Sequence, residues 1–313
     1  MKRQPKRTAT AFAPATVGNA GVGFDLLGHA VVSVGDRVTV TRTEERTVVV
    51  RSESMSVPHD PASNTASAGL LRLIEDLDLP FGFAVVLEKG IPLGSGMGGS
   101  ASSAAGAILA ANRLLPEPLD ETGLLRYGMY GEEVATGSFH PDNLAPCLLG
   151  GLILSLDRDP LEVVRIPVPD SLYCVVVHPR LRLDTRDARR VLPSQICLSD
   201  HVAQSGKLAG VIAGCFRGDI ALIGKSLEDL IVEPKRAPLV KGFDAVKSAA
   251  LRMGALGCSL SGSGPSLFAW CEGPLRGDKI REAMIAAFAE AGVESRGWVS
   301  PVGAPGAQIE HEE

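Results

Sequence analysis

Four glycines fall within six positions in Pro92-Leu-Gly-Ser-Gly-Met-Gly-Gly-Ser-Ala-Ser102, ahead of the small-residue run Ala101-Ser-Ser-Ala-Ala-Gly106. Glycines let successive backbone N–H groups turn toward one point, and a helix N-terminus adds unpaired donors and the positive end of its dipole. Such a loop suits a polyphosphate. It is not a Walker A loop, because Gly99 is followed by Ser100 and no lysine. Gly94-x-Gly96-x-x-Gly99 matches the dinucleotide fingerprint as a string. However, it follows the break Gly90-Ile-Pro92 and lacks the acidic residue that would bind a ribose. By itself the loop reads as an anion site or as a tight packing turn.

Further segments carry polar groups at comparable places. Ser259-Leu-Ser-Gly-Ser-Gly-Pro-Ser266 is a second glycine-rich loop between short apolar runs, a hairpin if isolated and half of a phosphate pocket if shared. Pro14-Ala-Thr-Val-Gly-Asn-Ala-Gly-Val-Gly-Phe-Asp25 sets Asn19 and Asp25 among glycines, which suits an ammonium or hydroxyl ligand and equally suits turn chemistry. Glu132, followed by His140-Pro-Asp142-Asn143, offers a carboxylate of the kind Mg²⁺ takes beside phosphate oxygens. Read alone, it is a solvated helix end and a loop. Arg189 and Arg236 can each hold a carboxylate through two N–H groups, or simply face solvent.

These segments sit in an ordinary globular chain. It has 313 residues, 45% hydrophobic and 21% charged, and a net charge of −5 that gives nucleic acid no electrostatic support. Six cysteines show no C-x-x-C pair and read as buried thiols in a reducing cytosol. No apolar run is long enough for a membrane span or a signal h-region, so a cytoplasmic protein is expected. The sequence does not set an oligomeric state, and a homodimer is carried as one expectation.

The patterning predicts strands near 7–17, 31–41, 46–51, 82–89, 163–167, 172–178, 256–260, 266–272 and 294–299. It predicts helices near 64–78, from 101, 120–135, 185–191, 197–216, 218–230, 241–254 and 278–291. Strands come first and mixed elements follow without regular alternation, which points to α+β. Residues 1–6 and the end Pro301-Val-Gly-Ala-Pro-Gly-Ala-Gln-Ile-Glu-His-Glu-Glu313 read as loose tails. A boundary near 150–165 separates an expected 1–160 domain from 161–313.

In this order the segments resemble the GHMP kinases, named for galactokinase, homoserine kinase, mevalonate kinase and phosphomevalonate kinase. Residues 92–102 resemble the P-x-x-x-G-L-G-S-S-A signature, with Met97 for Leu and Gly99 for the first Ser. Residues 14–25, 138–151, 185–193 and 233–243 resemble the homoserine kinase branch, and the likeness runs from residue 8 to about 272.

The resemblance implies an α+β, two-domain fold: an N-terminal domain containing a left-handed βαβ unit, and a ferredoxin-like C-terminal domain. It implies transfer of a phosphoryl group from ATP, with Mg²⁺, to the side-chain hydroxyl of L-homoserine in threonine biosynthesis. By the same token Pro92, Leu93, Gly94, Ser95, Gly96, Met97, Gly98, Gly99, Ser100, Ala101 and Ser102 would wrap the triphosphate, with Asn64 near adenine. Ser100 and Glu132 would hold Mg²⁺. Asn19, Asp25, His140, Asn143, Arg189 and Arg236 would line the homoserine site, with Asn143, His140 and Asp25 nearest the chemistry. The two arginines would take the α-carboxylate, and Asp25 with Asn19 the amino group. Mevalonate or shikimate kinases are the neighbouring readings, and a silent ligand sensor or an NAD-dependent oxidoreductase the more distant ones.

Overall fold

A computed structural model describes residues 6–52, 57–137, 141–158 and 161–313. Two sheets carry the chain. The first is built from β1 (Thr8–Val17), β2 (Leu27–Thr43), β3 (Val48–Ser52) and β4 (Gly82–Glu88), joined by β5 (Leu152–Arg158), β6 (Leu161–Ile166) and β11 (Gln308–Glu312). Its order is β11-β1-β2-β4-β3, and the far end of the long β2 pairs with β5 of the β5–β6 hairpin. β3 and β4 are parallel and are joined through α1 (Thr65–Asp76). Asn64 caps that helix: its Oδ1 accepts the Ala66 N–H at 2.9 Å.

Helices α2 (Gly99–Asn112), α3 (Glu121–Thr136) and α4 (Pro141–Leu149) complete this layer. α2 is made almost wholly of Ala, Ser and Gly and is buried nearly all round. Small side chains allow it to lie directly on β1, whose Ala9, Ala11 and Ala13 face it in one core. At Gly106 a Cβ would come within 2.6 Å of Val38 Cγ2, so the helix approaches β2 more closely than any side chain would allow.

The second sheet has the order β10-β7-β9-β8 and is antiparallel throughout. It comprises β7 (Leu172–Pro179), β8 (Gly257–Leu260), β9 (Leu267–Glu272) and β10 (Ser295–Pro301). Between β7 and β8 lie α5 (Thr185–Arg190), α6 (Leu198–Arg217), α7 (Ile220–Ser226), α8 (Glu233–Arg236) and α9 (Phe243–Arg252). α10 (Pro274–Glu290) bridges β9 and β10. This is the split β-α-β arrangement of ferredoxin-like sheets.

One core joins the two layers: Ala15, Val17, Ile91 and Met97 pack with Val176, Phe268 and Trp270. Trp270 Nε1 donates to His29 Nε2 at 3.1 Å, which fixes β9 against β2. Burial holds His29 down to about 4, so the ring is neutral at neutral pH. Its other nitrogen, Nδ1, lies 2.9 Å from the Ala30 carbonyl.

Three expectations are corrected. The terminal segment is not a loose tail, because Gln308–Glu312 pairs antiparallel with β1 and covers what would be an open edge. Its glycines and prolines lie before the strand. Its acidic residues meet cations that sequence distance hides: Glu310 pairs with Arg37 at 2.9 Å and Glu312 with Arg113 at 2.7 Å. Of the other expected tail, residues 1–5 lie outside the described residues, and Lys6 pairs with Glu312. The segment after His140 is a helix, α4, despite Pro146 within it. Burial of Leu144, Ala145, Cys147 and Leu148 outweighs the hydrogen bond that proline cannot donate. Leu152–Arg158 is a strand the patterning did not pick out, paired on both sides by β2 and β6.

Candidate active site

The loop between β4 and α2 opens into a cleft of about 420 Å³. Gly94, Gly96 and Gly98 all take positive φ. Gly98, at φ 68°, is the left-handed residue immediately before α2, and a Cβ there would lie 2.0 Å from Thr16 Oγ1. Both the dihedral and the space require glycine. Gly99 differs: it has an ordinary φ, and its Cβ would sit 3.4 Å from Ile91 and 3.5 Å from Lys89 Nζ. Gly98→Ala is therefore expected to abolish nucleotide affinity and to lower stability by about 2 kcal/mol or more. Gly99→Ser should fold normally and stabilise by about 0.3–1 kcal/mol, because glycine is the poorer helix former. Thermal melts and nucleotide titration of the two variants check the contrast.

The second glycine loop packs on the first. Ser266 donates its backbone N–H to Ser95 O at 3.2 Å, and Ser261 Oγ donates to Gly96 O at 2.8 Å. It also holds the segment after β1, since Gly262 N–H reaches Gly18 O at 3.0 Å. The hairpin and turn readings of these loops give way to one shared pocket wall.

The floor of the cleft comes from Glu132 near the end of α3 and Asp142-Asn143 at the start of α4. Glu132 is buried rather than solvated. Burial pushes its carboxyl up to about 7, a hydrogen bond from Ser100 opposes that, and the Asp142 charge adds to it. Burial likewise raises Asp142 to about 7, and the nearby Asp25 charge adds to that. Asp142 Oδ2 accepts the Asn19 N–H at 3.2 Å and Asn143 Nδ2 at 3.4 Å. Thr16 Oγ1 donates to Asn143 Oδ1 at 2.8 Å, so the Asn143 amide is held from both sides. His140 lies outside the described residues.

At the other wall, Asp25 and Arg189 form a two-pronged pair with distances of 3.0 and 3.2 Å. Arg236 is buried, donates to Ala188 O at 2.9 Å and Gly262 O at 3.2 Å, and is lowered to about 10, chiefly by burial and then by Arg189. Both guanidinium groups stand over the Phe24 ring, at 5.3 and 5.2 Å. Asn19 and Asp25 both take positive φ, at 66° and 55°. Strain of this kind persists only where surrounding bonds over-determine it. Here Asn19 Oδ1 accepts the Asp25 N–H at 3.0 Å and Asn19 Nδ2 donates to Gly262 O at 2.8 Å.

Several expected contacts change. The Asn19 amide holds the Asp25 N–H and the Gly262 carbonyl, so it fixes the backbone around Asp25. The Ser102 hydroxyl turns into the core, donating to Ala13 O at 2.7 Å and accepting the Asp36 N–H, which removes it as a phosphate ligand. Met97 is a core side chain; its carbonyl accepts the Thr16 N–H at 3.1 Å and its own N–H donates to Ser95 Oγ at 3.3 Å. Ala101 is also buried in the core, whereas Leu93, Gly94, Ser95, Gly96 and Ser100 line the cleft, as does Asn64.

The GHMP kinases N terminal domain matches residues 64–151, and the GHMP kinases C terminal domain matches residues 211–290. A homoserine kinase of Xylella fastidiosa strain 9a5c is 48% identical over 305 residues, covering 96% of this chain and 94% of that one. The chain is a GHMP kinase. One from Chlorobium phaeobacteroides, also named homoserine kinase, is 42% identical over 97% of this chain and 99% of its own. The crystal structure of homoserine kinase from Cytophaga hutchinsonii matches at a TM-score of 0.95 and 44% identity, covering 99% of each chain. As a GHMP kinase the chain is an ATP-using phosphotransferase with the α+β fold expected of it.

Sequence reasoning missed Phe24 and Lys89, which line this kinase cleft, and the buried Thr16 and Asp36, which hold Asn143 and Lys89 from behind it. A signal for two of them was present. Asp36 interrupts a Val-rich strand and Lys89 ends another, and charges in strands that read as buried require a partner.

Proposed function

We propose that the protein transfers the γ-phosphoryl group of ATP to the side-chain hydroxyl of L-homoserine, as a cytoplasmic step of threonine biosynthesis. The observation that carries this is the wall formed by Asp25, Arg189 and Arg236 around Phe24, in the same cleft as the phosphate loop. A carboxylate suits the paired guanidinium groups and an ammonium suits Asp25, which together describe an amino acid.

In this reading the backbone N–H groups of the loop and the first turn of α2 hold the triphosphate. Asn143, oriented by Thr16 and Asp142, uses its remaining amide hydrogen to direct the attacking hydroxyl. Among the described residues no cluster of three or more His, Cys, Asp or Glu forms a metal cage. Mg²⁺ on a nucleotide needs no such cage, since it takes one or two protein oxygens and completes its shell with phosphate and water. Ser100 and Glu132 fit that demand: a hydroxyl bonded to a carboxylate whose protonation burial favours is a site where a cation restores the ionised form. Mg²⁺ bound there would neutralise charge on the phosphoryl oxygens. The remaining catalysis is positioning and charge stabilisation. Asp142, with its carboxyl near 7 and bonded to Asn143, is placed to take the hydroxyl proton.

The test is a coupled ADP-release assay over L-homoserine, mevalonate and shikimate. Turnover is expected with L-homoserine. Turnover confined to one of the others would replace the substrate assignment.

A further inference from the structure

Beneath the phosphate loop, outside the groups assigned above, lies a buried charged cluster. Asp36 sits on β2, Lys89 follows β4, and Ser103 is in the first turns of α2. The Asp36 and Lys89 side chains are 0% and 2% exposed and form an ion pair. Lys89 Nζ also donates to Gly99 O at 2.8 Å and Ser103 Oγ at 2.9 Å. Ser103 Oγ lies 3.0 Å from Asp36 Oδ2. The second carboxylate oxygen, Asp36 Oδ1, accepts the N–H groups of Gly90 at 3.0 Å and Ile91 at 3.1 Å. One carboxylate and one ammonium thus tie together the start of the phosphate loop, the first turn of α2 and the central strand.

We propose that Asp36, Lys89 and Ser103 are positioning residues that set the phosphate loop for ATP, a role that rests on the reading of that loop as the triphosphate site. Two physical effects act together. The loop's N–H groups bind phosphate well only if they are already aimed, and the node clamps both ends of the loop. A carboxylate under a polyphosphate site also repels its ligand, and the Lys89 ammonium, which lines the cleft itself, cancels that field. The contacts run to Gly90, Ile91, Gly99 and Ser103, none of which belongs to the 19–25, 185–190 or 233–236 segments. The node therefore acts on the nucleotide and leaves the amino-acid end alone.

The experiment is steady-state kinetics of Lys89→Met and Ser103→Ala on the full chain, varying ATP and L-homoserine separately, with thermal melts alongside. Lys89→Met is expected to raise KM for ATP at least tenfold, and Ser103→Ala about threefold or more, with KM for L-homoserine within threefold in both. A fall in melting temperature with both KM values unchanged below the melt makes the node merely structural and overturns the proposal. If Lys89→Met does not fold, Ser103→Ala decides alone, and an unchanged ATP KM sinks the idea. Wild-type protein that fails to turn over ATP overturns the underlying reading itself, a result separable from an active wild type with an insensitive variant.

Discussion

Glu132→Ala and, independently, Ser100→Ala are expected to lower kcat by about 10²–10³ at saturating ATP, while the folded protein survives. The expected effect is electrostatic. Glu132 is buried on α3 beside Ser100 and Asp142, and burial lifts its carboxyl to about 7. That lift measures how strongly the site disfavours a bare negative charge, and a divalent cation with a polyphosphate reverses the preference. In the proposed site the carboxylate would anchor Mg²⁺, so the Mg²⁺ concentration giving half-maximal rate should also rise in Glu132→Ala. Fold stability is not expected to suffer, because alanine introduces no buried charge. Kinetics over an Mg²⁺ series together with melts of the metal-free protein provide the check. Turnover within threefold of wild type in both variants would refute the metal role.

Asp142→Asn should separate stability from activity in opposite directions. In the fold the Asp142 carboxyl is raised from 3.8 to about 7, so the folded chain holds its proton more tightly than the unfolded chain does. Its contribution to stability is fully present below pH 3.8 and is lost as pH rises through about 7. Asparagine does not titrate. The variant should thus gain about 1–4 kcal/mol over wild type at pH 8 and little or nothing at pH 4. Its activity should fall about 10²-fold, because Asn143 loses a charged acceptor and the hydroxyl proton loses its acceptor. In the wild type, kcat/KM should climb with pH through about 7, the reverse of the stability trend. Melts at pH 4, 6 and 8 with a pH–rate profile test both halves. A stability difference that does not widen with pH removes the argument.

A buried carboxyl that lowers stability when ionised fits a cleft where carboxylates do work. The positive-φ Asn19 and Asp25 add backbone strain in the same place. Local rules are broken where ligands are expected to bind, and the surrounding hydrogen bonds make up the difference.

Most elements were legible because their signals are local. β4 shows period-2 burial, α1 shows helical spacing behind the cap Asn64, and α2 shows an unbroken run of small residues. What escaped had its cause at long sequence distance. β11 reads as a polar tail until Arg37 and Arg113 are brought to its glutamates. α4 contains a proline that local propensity counts against, and only burial of its apolar face makes it helical. Glu132 reads as a solvated helix end because nothing nearby in sequence covers it.

The sequence by itself determined the chemistry available: glycines where the backbone must turn left-handed, a serine at the start of α2, two carboxylates and two arginines, and enough motif spacing to place the chain among the GHMP kinases. Only the tertiary structure decided what each of those groups does. It turned Ser102 away from the phosphate site, gave the Asn19 amide to Asp25 and Gly262, buried Glu132 and Asp142 until their carboxyls rose toward neutrality, and set Lys89 against Asp36 under the loop. The reason is physical. Residue type sets which bonds and charges are possible, whereas burial and partner geometry set their energies, and both depend on segments more than a hundred residues apart, such as Thr16 and Asn143.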